Sequence, residues 1–213
     1  MLDYQRIKKK IIDFQNTDDQ LKIINRKIPL NSEFFFKKLY KSLNSIYGFV
    51  SYDNPNDDLK KLLINKLSND LKCDPFYDIW LNDMSSLCKI FCKFIGENKI
   101  SFWIGTKRGC KRYHVDMVPY RLLVTYAGQG TELLPDFAAN RNAFDEGKPN
   151  EEIIKDKSAL KFINKWDIAI FRGGKKGILH RTPDSALKES SSILMRLDNS
   201  SFLEEINKIN YVS

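Results

Sequence analysis

At 213 residues the chain is long enough for one domain with a full core, or for a core with a helical extension. Its 42% hydrophobic content is that of a globular protein, and no run of about eighteen apolar residues is present to serve as a membrane helix. The net charge of +8 comes mostly from lysines scattered through helical segments, with no basic patch interleaved with aromatics, which argues against nucleic acid as a partner.

Cys73, Cys88, Cys92 and Cys110 lack paired CxxC spacing and read as free, buried thiols rather than disulfides or zinc ligands. The opening Met1-Leu2-Asp3-Tyr4-Gln5-Arg6 is not followed by an apolar stretch of signal-peptide kind, so the expected setting is the cytoplasm.

From Asp3 to about Lys99 the pattern reads as helical. Tyr4, Ile7, Ile11, Ile12 and Phe14 approximate one amphipathic helix ending near Asn16, and Thr17-Asp18-Asp19 reads as the start of a second through Leu21, Ile23 and Ile24, stopped by Pro29. Asn31-Ser32 caps a third with Phe35, Leu39, Leu43 and Ile46 on one side and Gly48 as terminator. Asn56-Asp57-Asp58 opens a fourth to about Leu71. Asp74-Pro75 opens a fifth that passes Trp80, Leu87 and Phe91 and ends at Gly96. The aromatic stripes of these helices are most simply core.

After Gly96 the texture changes to short alternating runs. Lys99–Gly105, Cys110–Asp116 and Tyr120–Tyr126 read as strands, Glu132-Leu133-Leu134 as a brief return, and Trp166–Phe171, Gly177–His180 and Ser191–Asp198 as further strands. Gly173-Gly174-Lys175-Lys176 is a tight turn, lacking the spacing of a phosphate loop. The polar segment from Asp136 to Lys157, with Gly147 and Pro149, reads as an excursion with one or two helical turns, a mobile lid over the site. Short strands without intervening helices favour a barrel or jelly roll over a parallel sheet. The expected fold is thus α+β, with a helical region over 1–98 packed on a jelly-roll core over 99–213 as one structural unit.

The chain has two histidines, His114 in Tyr113-His114-Val115-Asp116 and His180 in Ile178-Leu179-His180-Arg181-Thr182-Pro183. Residues two apart on a strand share a face, so the His114 ring and the Asp116 carboxylate can converge. Two imidazoles and one carboxylate on one side of a cavity form the facial triad of non-haem Fe(II) oxygenases. An isolated His-x-Asp is weak evidence, since a lone histidine is usually a hydrogen-bonded surface or core residue; that the chain uses histidine so sparingly and places both at strand ends puts a metal site on an even footing with that reading.

Tyr113-His114-Val115-Asp116, then Arg121-Leu122-Leu123-Val124-Thr125-Tyr126-Ala127-Gly128-Gln129-Gly130-Thr131-Glu132, and then His180-Arg181-Thr182-Pro183 resemble, in that order, the bacterial domain-of-unknown-function family 1826. That family carries a late His-Arg-Ser-Pro, where this chain has Thr182. The same order is similar to the cupin-like double-stranded β-helix of Fe(II)/2-oxoglutarate oxygenases. The resemblance implies His114, Asp116 and His180 as iron ligands and 2-oxoglutarate as co-substrate. It also implies an arginine for the distal carboxylate of 2-oxoglutarate, with Arg196 first and Arg121 second, and a hydrogen bond to the co-substrate from Tyr126 or Thr125, of which strand parity lets only one face inward. The substrate would be a small molecule or a peptide. Two other classes stay open: a cupin-like Zn(II) hydrolase on the same ligands with Glu132 as general base, and a non-enzymatic β-barrel binding module with incidental histidines.

Overall fold

The computed structural model describes residues 3–188 and 191–205. In chain order the elements are α1 (Tyr4–Asp13), β1 (Leu21–Ile24), α2 (Ser32–Leu39), β2 (Ile46–Ser51), α3 (Pro55–Leu63), α4 (Asn69–Lys72), α5 (Pro75–Ile95), β3 (Lys99–Gly105), β4 (Tyr120–Ala127), β5 (Glu132–Leu134), α6 (Arg141–Asp145), α7 (Asn150–Ile153), β6 (Lys161–Phe162), β7 (Ile168–Arg172), β8 (Leu179–Arg181) and β9 (Ile193–Asn199).

Six strands form one antiparallel sheet in the order β1-β7-β4-β9-β3-β2, and three form a second in the order β6-β5-β8. The large sheet is sided by strict alternation. Ile100, Phe102, Ile104, Leu122, Val124, Tyr126, Ile168, Ile170, Ile193, Met195 and Leu197 point one way and join the helices in the main core. Leu123, Ala169, Phe171 and Leu194 point the other way and, with Leu133 and Ile163, fill the space towards the small sheet.

The long helix α5 lies on the first face. Asp74 caps it by accepting from the Phe76 N–H at 3.0 Å, Pro75 occupies its first turn, and Gly96 ends it with φ of 74°. Its buried stripe includes Trp80, Met84, Leu87 and Phe91. Trp80, Phe35, Phe36, Phe76, Tyr126 and Trp166 form a cluster of rings at centroid separations from 4.9 to 6.2 Å.

Five expectations change. Leu21–Ile24 is a strand, not a helix, and pairs with β7, while Ile46–Ser51 is a strand paired with β3, so α2 already ends at Leu39. The first 98 residues therefore supply both outer strands of the large sheet as well as its helical cover. The fourth helix is broken into α3 and α4. Cys110–Asp116 is not a continuous strand: it touches β8 through the reciprocal backbone bonds of His114 and His180 (3.1 and 3.0 Å) and through the Thr182 N–H donating to the Cys110 carbonyl (2.8 Å).

The fifth change concerns residues 136–157. Ala138, Ala139, Ala143 and Ile153 are buried there with Tyr113, Leu134 and Leu179, so the segment is a packed cover on the outer face of the small sheet and not a strap over the space between the sheets. Leu134 and Leu179 point outward by strand parity and require that cover.

Candidate metal centre

His114 and His180 are directly opposed across the backbone bridge, which puts their side chains on one face with ring centroids 4.4 Å apart. Asp116 is brought to the same point by the loop that follows. One donor atom from each of His114, Asp116 and His180 can be chosen so that all lie within 4.8 Å of one another. The His180 Nε2 is 3.5 Å from Asp116 Oδ2, an atom buried without any hydrogen-bond partner.

Each imidazole is held at its other nitrogen by its own chain. The Nδ1 of His114 lies 3.1 Å from the Arg112 carbonyl and that of His180 lies 3.0 Å from the Ile178 carbonyl. A carbonyl can only accept, so both Nδ1 atoms carry a proton, and in the neutral ring Nε2 is then the atom with the lone pair. A carbonyl that holds the far nitrogen of a ligating imidazole in this way fixes the ring's orientation in metal sites.

The Asp116 loop is seated on the turn after β7. The Gly174 N–H donates to the Asp116 carbonyl at 2.7 Å and the Gly173 N–H to that of Pro119 at 3.1 Å. A side chain at Gly173 would collide with the Val118 carbonyl, and Gly174 adopts φ of 95°, so both glycines are needed for this close approach.

The floor is the inward face of the large sheet. Asp116 Oδ1 accepts from Arg121 Nη1, while Arg121 Nε donates to Asp198 Oδ1 at 2.6 Å. Arg196 Nε lies 2.9 Å from the other Asp198 oxygen, and its guanidinium stands 4.8 Å from the centroid of Phe202 and 5.6 Å from that of Trp103. Burial raises the Asp198 pKa and the two arginines oppose the rise. The His180 ring rests on Phe171, centroid to centroid 4.6 Å.

Burial holds the His180 pKa down at about 4, with Asp116 pulling weakly the other way. For His114 burial also disfavours the charge, but hydrogen bonds with the Cys110 thiol and the Arg112 carbonyl outweigh it, and the pKa ends raised. A linkage prediction follows for His180 in the metal-free protein. The unfolded chain takes up a proton near pH 6.5 that the folded chain refuses until about 4, so stability falls as pH drops through that window, by on the order of 3 kcal/mol in all. Above pH 6.5 the term vanishes. Urea unfolding in chelator, at several pH values from 7 to 4, should give a steeper acid loss for wild type than for His180→Asn; parallel profiles would contradict it.

Of the residues singled out from sequence, His114, Asp116 and His180 meet, and Arg121, Arg196 and Thr125 lie on the inward face of the large sheet in register with Asp198, Leu123 and Leu194. Tyr126 does not join them. Parity turns it to the helical side, where its hydroxyl donates to Asp83 at 2.8 Å, so Tyr126 is corrected from a co-substrate contact to a core residue. Glu132 is turned to the outer face of the small sheet, accepting from the Tyr113 hydroxyl and from Arg181 Nε at 2.8 Å and Nη2 at 3.1 Å. As the counter-ion of Arg181 it is not placed to act as a base at the trio.

Sequence reasoning missed Asp198 as the partner of both inward arginines, although Arg196-Leu197-Asp198 puts the two side chains on one face.

The family model for "Protein of unknown function (DUF1826)" matches residues 9–198, and the chain belongs to that family. None of the curated proteins matches significantly. Among solved structures, the chain is similar to a bsmA homologue from Methylobium petroleophilum (10% identity, 91% of this chain and 92% of that one, TM-score 0.44). It is also similar to TqaL, described as an Fe(II)/α-ketoglutarate-dependent dioxygenase (10% identity, 92% and 88% covered, TM-score 0.47). A third is a Caulobacter crescentus protein described as of the 2OG-Fe(II) oxygenase family (11% identity, 93% and 82% covered, TM-score 0.32). Likenesses this distant leave the activity to be read from this chain's own residues. No helix among the described residues is long and apolar enough to cross a membrane.

Proposed function

We propose that the protein is a non-haem Fe(II)- and 2-oxoglutarate-dependent oxygenase, built on a double-stranded β-helix core, that hydroxylates a small molecule or a peptide. The observation that carries the reading is the trio itself: two imidazoles, each held at Nδ1 by a backbone carbonyl, beside a carboxylate whose inner oxygen is buried and unpartnered. A buried carboxylate oxygen left without a donor costs free energy, and a divalent cation satisfies it. Fe(II) suits a His, Asp, His set with positions left open, and bound there it supplies the activation of oxygen by a 2-oxo acid.

The chain's own part is positioning and exclusion. The carbonyls of Arg112 and Ile178 hold the rings, and Arg121 holds the outer oxygen of Asp116 so that the inner one faces the trio. Leu123, Leu133, Ala169, Phe171 and Leu194 make the surrounding space apolar, which keeps water from the reacting atoms. For the distal carboxylate of the co-substrate Arg196 is the better choice, because Arg121 is already shared between two carboxylates.

The purified protein is expected to bind about one divalent transition metal per chain, and His180→Ala is expected to lose it. Elemental analysis after anaerobic Fe(II) loading checks this; equal metal in the two proteins removes the site. Succinate formed from 2-oxoglutarate by the loaded protein then separates an oxygenase from a Zn(II) hydrolase or a binding module.

A further inference from the structure

We propose that Arg108 holds the substrate through a carboxylate or a phosphate, so that the molecule turned over at the trio is an anion. The inference rests on the oxygenase reading above and adds to it a substrate class and the residue that recognises it.

Arg108 is 8% exposed and, among the described residues, meets no carboxylate, whereas Arg26, Arg121, Arg181 and Arg196 each have one. Its guanidinium is held on the turn between β4 and β5. There Nη1 donates to the Gln129 carbonyl and Nη2 to the Thr131 hydroxyl, both at 2.9 Å, while Nε is buried without a partner. Two of the five N–H groups are thus used, and the free Nε–H with the Nη–H beside it forms the edge that grips an oxyanion in two parallel bonds. Burial lowers the Arg108 pKa to about 10, whereas in Arg26 and Arg121 the neighbouring carboxylates outweigh the same burial.

A second polar group is stranded at the same turn. The Ser192 hydroxyl is buried with no hydrogen-bond partner, and a side chain at Gly128 would lie 2.6 Å from the Ser192 Cα, so Ser192 packs on the residue that precedes Gln129. The turn opens on the space that holds the trio. The Thr131 carbonyl accepts from the Ile163 N–H at 3.0 Å, which pairs the two residues and turns both side chains inward, where Ile163 packs with Leu133. Leu133 stands opposite His180. Thr131 is two residues back along the chain, so the hydroxyl that holds Arg108 stands roughly 7 Å along the strand from the row of His180. An anion gripped by Arg108 therefore leaves the rest of a small molecule within reach of the trio. A buried cation without a counter-charge costs free energy, and an anionic substrate removes that cost.

Melting temperature in chelator, with inorganic phosphate or acetate added at constant ionic strength against chloride, tests the site independently of the metal. At least one of the two anions should raise the wild-type value, by roughly 3–6 °C at ten times its dissociation constant. Arg108→Gln, which keeps donors for the turn, should lose the response. Arg108→Lys, which keeps the charge without the fork, should retain a weakened one, and decides the matter if Arg108→Gln does not fold. Arg6→Gln, at an exposed arginine, should respond in full. A response to phosphate alone assigns a phosphate monoester, and one to acetate alone a carboxylate. No rise in wild type with either anion, or an equal rise in the Arg108 variants, overturns the site. In the anaerobic Fe(II) protein, the absorption that reports 2-oxoglutarate binding should titrate alike in Arg108→Gln and wild type. A loss of about tenfold or more in that affinity would make Arg108 the co-substrate anchor and overturn the substrate assignment. An Arg108-dependent response in a chain that takes up no Fe(II) would remove the oxygenase reading and leave the anion site standing.

Discussion

Asp83→Ala is expected to lower folding stability by roughly 3–5 kcal/mol, the cost of removing one partner from a buried ion pair. Asp83 and Arg26 are 0% and 2% exposed at the side chain and meet at 2.5 Å. The carboxylate also accepts from the hydroxyls of Tyr4 and Tyr126, each at 2.8 Å. Truncation leaves a guanidinium and two hydroxyls buried without their acceptor. Removing Asp74, whose partner Lys38 is 58% exposed, should by contrast cost about 1 kcal/mol or less from the ion pair, because water solvates the survivor. At about 2–4 °C per kcal/mol for a chain of this size, Asp83→Ala should melt on the order of 10 °C below wild type. Adding Arg26→Met should recover part of the loss, since the stranded charge goes with it. Metal content should stay at the wild-type value, because the pair lies on the helical side of the large sheet. A fall in stability of under 1 kcal/mol would mean that water reaches the pair.

Asp83 also illustrates what the sequence let through. It follows Trp80 by three positions and precedes Leu87 by four, which places a carboxylate on the apolar stripe of α5 and signals a buried partner. The identity of that partner was hidden, since Arg26 reaches it only after β1 joins the sheet. β1 itself is four residues long, too short for alternation to be told from helical spacing. In β2, Gly48 resembles a helix terminator, yet a side chain there would collide with Leu62 of α3, so the glycine marks a close helix–sheet contact. The ends of α5 and the strands β3, β4, β7 and β9 were legible because their caps and alternation are local. The trio was legible because histidine is rare in this chain. The choice between Thr125 and Tyr126 was not, because parity names two faces without saying which one packs on helices.

Arg121→Met should destabilise the metal-free protein by roughly 3–5 kcal/mol, and by less once metal is bound. Arg121 bridges Asp116 and Asp198, both at most 2% exposed at the side chain, so its removal leaves Asp116 with no cation and Asp198 with Arg196 alone. Burial alone disfavours the charge on Arg121, and the two carboxylates more than offset it, raising its pKa. A divalent cation at the trio would replace the missing counter-charge on Asp116 but not the contact with Asp198, so metal should repair the variant in part. The rise in melting temperature on metal loading should therefore be larger in Arg121→Met than in wild type, and by linkage its metal affinity should rise, because the cation then meets a carboxylate that has lost its counter-charge. Lysine should not substitute, since a single ammonium lacks the fork that reaches two carboxylates at once. Equal deficits with and without metal would show that Arg121 acts through Asp198 alone and that Asp116 does not depend on it.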